Sequence, residues 1–141
     1  MAESLKKLKE LFDLKDADLR TYSPLTLAYI GDGVYELVIR TILVKKATCP
    51  VNRLHKKASS LVKASAQSGM MEILEPLLTE EEKSVYRRGR NAHSATMAKH
   101  ATMADYRRAT GFEALMGYLY LKEDFSRILE LVHAGLEKEE I

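Results

Sequence analysis

Residues 25–39 read LTLAYIGDGVYELVI, and the helical character of the whole chain follows from this run. It is apolar almost throughout and predicts a core helix, which Ser23 can cap and Pro24 can begin. Asp32 stands inside it with a glycine on each side. Each interior glycine costs a helix about 1 kcal/mol relative to alanine, and a buried carboxylate without a partner costs more. This cluster of unfavourable residues predicts a functional site, most simply one that binds a cation.

A second acid interrupts an apolar segment further along the chain. Residues 110–120 read TGFEALMGYLY, so Glu113 also lies within a predicted core helix. The two helices could approach closely at small residues, which are Gly31, Gly33 and Gly117. If the helices cross there, Asp32 and Glu113 face one another, and one of them holds a proton unless a divalent cation neutralises both. Oxygen ligands of this kind favour magnesium, with manganese as a substitute.

Other interpretations of these acids stay open at this point. Asp32 and Glu113 could instead form ion pairs with buried arginines such as Arg40 or Arg107, which also explain buried acids. Glu36 lies one helical turn after Asp32 on the same face. It either supports the site from outside or joins a hydrogen-bond network with a nearby tyrosine, Tyr22 or Tyr29.

The pattern of apolar residues predicts an all-α fold of about seven helices, forming one domain over residues 1–141. Thr79 and Glu82 form a capping box at the start of one helix. Cys49-Pro50 breaks the chain, Gly69 marks a turn, and residues 91–102 form a loop or a weak helix. The predicted helices are Ser4–Leu14, Pro24–Lys45, Val51–Ser68, Met70–Leu77, Glu80–Arg90, Ala104–Leu121 and Asp124–Glu139.

The composition excludes several classes of protein. The chain has 141 residues, of which 46% are hydrophobic, so it has enough apolar side chains for a core. One cysteine, Cys49, excludes a disulfide framework and a cysteine-based zinc site within one chain. No signal pattern is visible at the N-terminus, and no apolar run approaches the ~20 residues that span a bilayer. These features predict a cytoplasmic protein that does not enter a membrane.

Charge is distributed unevenly, although the net charge is only +2. Residues 37–71 carry seven basic residues and no acid, and residues 83–108 carry seven against one acid. Either run alone is typical of an ordinary solvated helix face. Together they indicate a basic surface that could bind the phosphates of a nucleic acid. The residues of the second run that could make such phosphate contacts are Arg87, Arg88, Arg90, Lys99, Arg107 and Arg108; the resemblance described next implies that the nucleic acid is RNA.

Four segments of the chain resemble the ribonuclease III family. Residues 29–34, YIGDGV, resemble its signature helix, and residues 113–117, EALMG, resemble its second catalytic motif. Residues 86–91, YRRGRN, and residues 106–114, YRRATGFEA, are similar to the Mini-III branch, as is Tyr35-Glu36 after the signature aspartate. The motifs follow one another in the order of the family and extend over nearly the whole chain.

The resemblance implies a homodimeric, all-α endonuclease that cuts double-stranded RNA with magnesium and leaves 5′-phosphate and 3′-hydroxyl ends. Asp32 and Glu113 match the metal-binding, catalytic acids of the family. The Mini-III branch lacks the separate double-stranded-RNA-binding domain, so the RNA contacts would come from this domain. The branch is associated with trimming the ends of the 23S ribosomal RNA precursor in bacteria, with a ribosomal protein as a candidate accessory.

The sequence departs from the family at two acids. Larger members carry a glutamate where this chain has Ala28 and an aspartate where it has Thr110. The smaller ligand set favours one magnesium with a largely water-filled shell, and leaves Glu36 and Thr110 as outer supports. It also keeps open a second hypothesis, a dimeric RNA-binding protein of the same fold with weak or no cleavage. A third, a helical protein–protein adaptor, is disfavoured by the basic segments.

Overall fold

The computed structural model describes residues 2–46, 49–92 and 102–139, and the regular structure in these ranges is helical. Two short 3₁₀ turns, Leu19–Thr21 and Glu75–Leu77, separate some of the α-helices. The all-α prediction is therefore confirmed. The α-helices are α1 (Ala2–Leu11), α2 (Pro24–Lys46), α3 (Val51–Val62), α4 (Ala64–Leu74), α5 (Glu80–Arg90), α6 (Met103–Leu121) and α7 (Phe125–Gly135).

Helices α2 and α6 form the centre of the molecule. They pack along one another, α4 and α5 lie against α6, α3 lies against α2, and α7 lies against α4 and α6. Tyr35 of α2 and Phe112 of α6 meet edge to face in the core, with ring centroids 4.9 Å apart. Both rings are fully buried. The two apolar helices identified in the sequence therefore pack on each other because each offers the other its largest apolar surface.

Local capping residues start two of the helices as predicted. The Ser23 hydroxyl accepts a hydrogen bond from the Thr26 backbone N–H at 3.1 Å, directly before α2. Thr79 and Glu82 form a reciprocal capping box at the start of α5. Each cap satisfies backbone donors that the first turn of a helix leaves without partners.

The predicted helix Val51–Ser68 is wrong, because the chain turns earlier. Lys63 has an extended backbone and ends α3, and α4 begins at Ala64. Gly69 lies inside α4, and this helix gives way to a 3₁₀ turn before Leu77. The earlier break lets α4 bury a row of its own side chains against α6 and α7, so tertiary packing outweighs the preference of glycine for a turn. The last helix is also shorter than predicted, ending at Gly135.

Within residues 2–46, 49–92 and 102–139, no helix is both long enough and apolar enough to cross a bilayer.

Candidate active site

Glycines let α2 and α6 touch backbone to backbone. A Cβ atom on Gly31 would lie 1.7 Å from the backbone oxygen of Glu113, and one on Gly117 would lie 1.9 Å from the backbone oxygen of Leu27. Neither position has space for any side chain. The predicted close crossing is confirmed for these two glycines. It is wrong for Gly33, where an added Cβ would meet no atom of another part of the described chain within 4 Å.

The crossing brings Asp32 and Glu113 together, as predicted. Burial, followed by a hydrogen bond with Asp32 and the negative charge of Asp32, raises the pKa of Glu113 to about 8. A hydrogen bond with Gln67 acts in the opposite direction. Glu113 is therefore a half-buried acid whose negative charge is poorly compensated by its surroundings. A divalent cation between the two carboxylates would supply the missing positive charge.

Asp32 itself is not buried, contrary to the expectation from its apolar neighbours. It lies on an exposed part of α2, whereas Glu113 is partly enclosed. The reason is that α2 presents only one side to α6, with Ala28, Gly31 and Tyr35 among its buried residues. The apolar character of the remaining side misled the burial prediction. The pair therefore has an inner carboxylate and an outer carboxylate that solvent reaches.

Arginines do not neutralise the pair. Arg40 donates to the Glu36 carboxylate at 2.6 Å, so this basic residue and this acid satisfy each other on the surface of α2. Arg107 is exposed on α6. Among the ion pairs of the described residues, none includes Asp32 or Glu113. The ion-pair interpretation of the two acids is therefore wrong for the part of the chain that the structure covers.

Residues at the two departures from the family pattern add no carboxylate. Ala28 is buried against α6. Thr110 is also buried, and its hydroxyl donates to the backbone oxygen of Tyr106 at 3.0 Å, one turn earlier in α6. Across residues 2–46, 49–92 and 102–139, no group of three or more His, Cys, Asp or Glu side chains is placed to hold a metal. The candidate ligands that remain are the oxygens of Asp32 and Glu113.

Gln67 is a member of the site that the sequence analysis missed. It lies on α4, is only 1% exposed, and reaches the Glu113 carboxyl. Its Nε2 donates to the backbone oxygen of Val62 at 2.8 Å. No signal in the neighbouring sequence could have identified Gln67. The predicted turn at Gly69 puts residue 67 at the end of the predicted helix Val51–Ser68, whereas in the structure it lies within α4.

Basic residues lie along both helices near the point where α5 crosses α6. A Cβ on Gly89 would lie 2.9 Å from the Cα of Gly111, so the backbones are close there. Arg88 and Arg90 flank Gly89, and Arg107 and Arg108 precede Gly111 by about one turn. The crossing therefore joins two basic segments that are about twenty positions apart in the sequence. Such a surface suits a polyanion.

These arginines are not equivalent. Arg108 donates to the Ser68 hydroxyl at 3.4 Å, and the Arg90 guanidinium lies 5.7 Å from the centre of the Tyr86 ring. Both are therefore held by the fold. The side chains of three others are exposed, those of Arg87, Arg88 and Arg107. Lys99, the remaining predicted RNA contact, lies outside the described residues.

An apolar stripe runs along the outer side of α2. Tyr29 is 84% exposed and Leu37 is 56% exposed, and Gly33 lies between them with open space above it. The three residues are four positions apart, so they lie in one row. We call this row the α2 stripe. It borders Asp32 and presents two exposed apolar side chains.

Comparison with known proteins gives consistent matches. The sequence model of the ribonuclease III domain family matches residues 25–124 of this chain. A protein of Clostridium tetani named Mini-ribonuclease 3 is 51% identical over 117 residues, which cover 82% of this chain and 77% of that protein. A protein of Enterococcus faecalis with the same name is 45% identical, and the match covers 86% of this chain and 93% of that protein. A crystal structure of a Fusobacterium nucleatum protein, at 30% identity, has a TM-score of 0.80 and covers 89% of this chain and 100% of that one.

Proposed function

Since this chain belongs to the ribonuclease III family, in its Mini-III branch, and is an endoribonuclease, we propose that it hydrolyses double-stranded RNA at Asp32 and Glu113 with magnesium. The observation that carries this proposal is the meeting of two carboxylates across a glycine-lined crossing, with the charge of Glu113 uncompensated. The products are a 5′-phosphate and a 3′-hydroxyl end. Manganese can replace magnesium because it accepts the same oxygen ligands.

The donor set fits a hard divalent cation. Asp32 and Glu113 offer only oxygen atoms, and two carboxylates match a magnesium ion that keeps most of its waters. When bound, the ion lowers the pKa of a coordinated water and stabilises the charge that develops on the phosphate. Asp32, which is exposed, would hold the ion on the solvent side. Glu113 would hold it on the inner side, from a backbone that the crossing fixes, and neither acid would act as the nucleophile.

RNA binding in this proposal comes from the crossing of α5 and α6. Double-stranded RNA is recognised mainly by its shape and its phosphate and 2′-hydroxyl groups. Exposed arginines at one crossing supply phosphate contacts without reading bases. Glu113 lies less than two helical turns from Arg108 on α6, so the basic surface and the acidic pair share one helix.

The geometry of the substrate and the α2 stripe support a homodimer. One site reaches one strand, whereas a two-fold dimer matches the approximate two-fold symmetry of an RNA duplex. The α2 stripe provides an apolar row with a central glycine at which two copies of α2 can approach. We place the dimer contact there, so that each Asp32 lies beside the interface.

The natural substrate that we propose is a bacterial ribosomal RNA precursor, cut near the ends of 23S ribosomal RNA in the cytoplasm. The resemblance to the Mini-III branch supports this assignment, and the relatives carry the name Mini-ribonuclease 3. A ribosomal protein that orders the precursor is the expected accessory, since a domain of this size contacts only a short length of duplex.

Cleavage of a labelled, perfectly paired RNA duplex tests the proposal. Wild-type protein should cut with magnesium and stop when a chelator is added. Asp32→Asn should lower the cleavage rate by more than about 100-fold, since losing even an outer support of a metal costs 10- to 100-fold. It should still bind RNA. Asp16→Asn removes an exposed acid outside the site and serves as the control. Normal turnover by Asp32→Asn would remove Asp32 from the mechanism.

A catalytically weak RNA-binding protein is the second candidate. It is favoured by the two departures, because Ala28 has no ligand atom and the Thr110 hydroxyl is bonded to its own helix. Against it stands Glu113, a desolvated acid that a pure binding protein would not need. Binding without cleavage by wild type and Asp32→Asn alike would favour this second candidate.

The arginine assignment has its own prediction. Arg88→Ala should weaken binding to all duplex sequences equally. It should also reduce the slope of the logarithm of the binding constant against the logarithm of the salt concentration by about one, because the side chain neutralises a phosphate. Binding is measured by titration of several duplexes over a range of salt concentrations. A loss confined to particular sequences would indicate base reading instead.

A further inference from the structure

Gln67 carries a buried polar atom that the fold does not explain. Its Nε2 donates to the backbone oxygen of Val62, which can only accept, so the orientation of the amide is fixed. The opposite atom, Oε1, is buried and has no hydrogen-bond partner among the described residues. More than nine in ten buried polar groups have a partner, and each exception needs a reason. An apolar side chain of the same length would fill the space without this unpaired atom.

The neighbour of Gln67 gives a reason to keep an amide here at the cost of an unpaired Oε1. Helix α4 packs on α6, and the Gln67 amide reaches the Glu113 carboxyl. An amide nitrogen carries two hydrogens, and one of them is used by Val62. The second can be donated to Glu113. The Glu113 carboxyl therefore lies between a fixed donor on its inner side and Asp32 on its outer side.

We propose that Gln67 is a positioning residue of the active site, which holds the Glu113 carboxylate toward Asp32 from an anchor on the Val62 carbonyl. This inference rests on the proposed function, in which Glu113 is a metal ligand. A ligand carboxylate held by a hydrogen bond keeps one orientation, and a cation then binds without first ordering it. Gln67 touches neither RNA nor the reacting phosphate because it is buried beneath Glu113.

Gln67→Met is the variant that tests this role. Methionine has nearly the same length and fills the same space, but it has no N–H to donate. The affinity for manganese is measured without RNA by electron paramagnetic resonance, and the magnesium concentration for half-maximal cleavage is measured with RNA. Both should weaken by roughly 10- to 100-fold. The turnover rate at saturating magnesium and the KM for RNA should stay close to those of the wild type.

Ser68→Ala is the matched control. Ser68 is the next residue of α4 and is equally buried, but its hydroxyl accepts from Arg108 instead of contacting Glu113. The metal affinity of Ser68→Ala should equal that of the wild type. If it falls as much as that of Gln67→Met, the effect is a general loosening of α4 and the inference is overturned.

The remaining outcomes separate this inference from the proposed function. Wild-type metal affinity in Gln67→Met, together with its loss in Asp32→Asn, would overturn the role of Gln67 alone. A wild-type protein that neither binds manganese nor cuts RNA would overturn the proposed function itself. If circular dichroism shows that Gln67→Met does not fold, Gln67→Asn replaces it. That variant keeps the amide but is one methylene too short to reach Glu113, so the same weakening is expected.

Discussion

Two glutamates of neighbouring helices, Glu82 on α5 and Glu113 on α6, lie mostly below the surface in opposite surroundings. Glu82 receives two hydrogen bonds from the Arg127 guanidinium, at 2.8 and 2.9 Å, and another from the Thr79 backbone N–H. Its bond with Arg127 holds its pKa below the ordinary value. Burial and Asp32 instead raise the pKa of Glu113 to about 8.

The difference teaches how to separate a structural acid from a functional one. Glu82 joins the start of α5 to α7 through Arg127, and every part of that carboxylate has a donor. Glu113 has a second acid where Glu82 has an arginine. A fold gains nothing from such an arrangement unless a ligand completes it, and uncompensated titratable groups of this kind concentrate at functional sites.

The largest loss of stability is expected from opening the crossing of α2 and α6, which creates the surroundings of Glu113. In Gly31→Ala the new methyl group would overlap the Glu113 backbone, so α2 and α6 must separate. Unfolding in urea should show a loss of about 3 kcal/mol, the upper range for overpacking. Cleavage should fall as well, because Asp32 moves away from Glu113.

Gly33→Ala is the matched control on the same helix. Its methyl group meets open space, and alanine is the better helix former by about 1 kcal/mol, so the dilute monomer should not lose stability. Equal destabilisation by the two variants would mean that the crossing does not depend on Gly31. A weaker dimer in Gly33→Ala, seen by sedimentation, would support the contact proposed at the α2 stripe.

Sequence reasoning succeeded where the signal is local. The capping box of Thr79 and Glu82 needs only neighbouring residues, and the crossing of α2 and α6 could be predicted because the misplaced acids are accompanied by glycines. It failed where several elements decide together. The break at Lys63 and the recruitment of Gln67 depend on how α4 packs on α6, which no short segment encodes. The exposure of Asp32 was missed because the sequence of an apolar helix does not show which of its faces another helix covers.

A smaller effect is expected from breaking the structural pair. Glu82→Gln keeps the shape of the side chain but removes the charge that meets Arg127. Losing one partner of a buried pair costs 3 to 5 kcal/mol. The Arg127 side chain is 23% exposed and also bonds Glu130, so about 2 kcal/mol is expected here. Urea unfolding measures this loss.

The same variant should leave the chemistry intact. Magnesium-dependent cleavage per folded molecule of Glu82→Gln should equal that of the wild type, because Glu82 lies outside the acidic pair. A rise in its magnesium requirement would contradict the division between a structural and a functional glutamate.

The smallest effect is a pH dependence of opposite sign at the two glutamates. The pKa of Glu113 is about 8 in the folded protein, against an ordinary value of 4.5, so between these pH values the folded state binds a proton that the unfolded state has lost. Its contribution to stability is complete below about pH 4.5 and disappears as the pH rises toward 8. For Glu82, whose pKa is lowered, the contribution is present above the ordinary value and disappears in acid.

Urea unfolding at pH 5 and pH 8, with a chelator present, measures this difference. From pH 5 to pH 8 the free energy of unfolding of the wild type should fall by on the order of 1 kcal/mol relative to that of Glu113→Gln. This is a small part of what the full pKa shift would give, because solvent on the Asp32 side screens the pair. Magnesium should restore most of that loss, since a bound cation stabilises the charged carboxylate and binds only the folded state. Parallel pH profiles of wild type and Glu113→Gln would mean that Glu113 is not the uncompensated acid, and the contrast with Glu82 would fail.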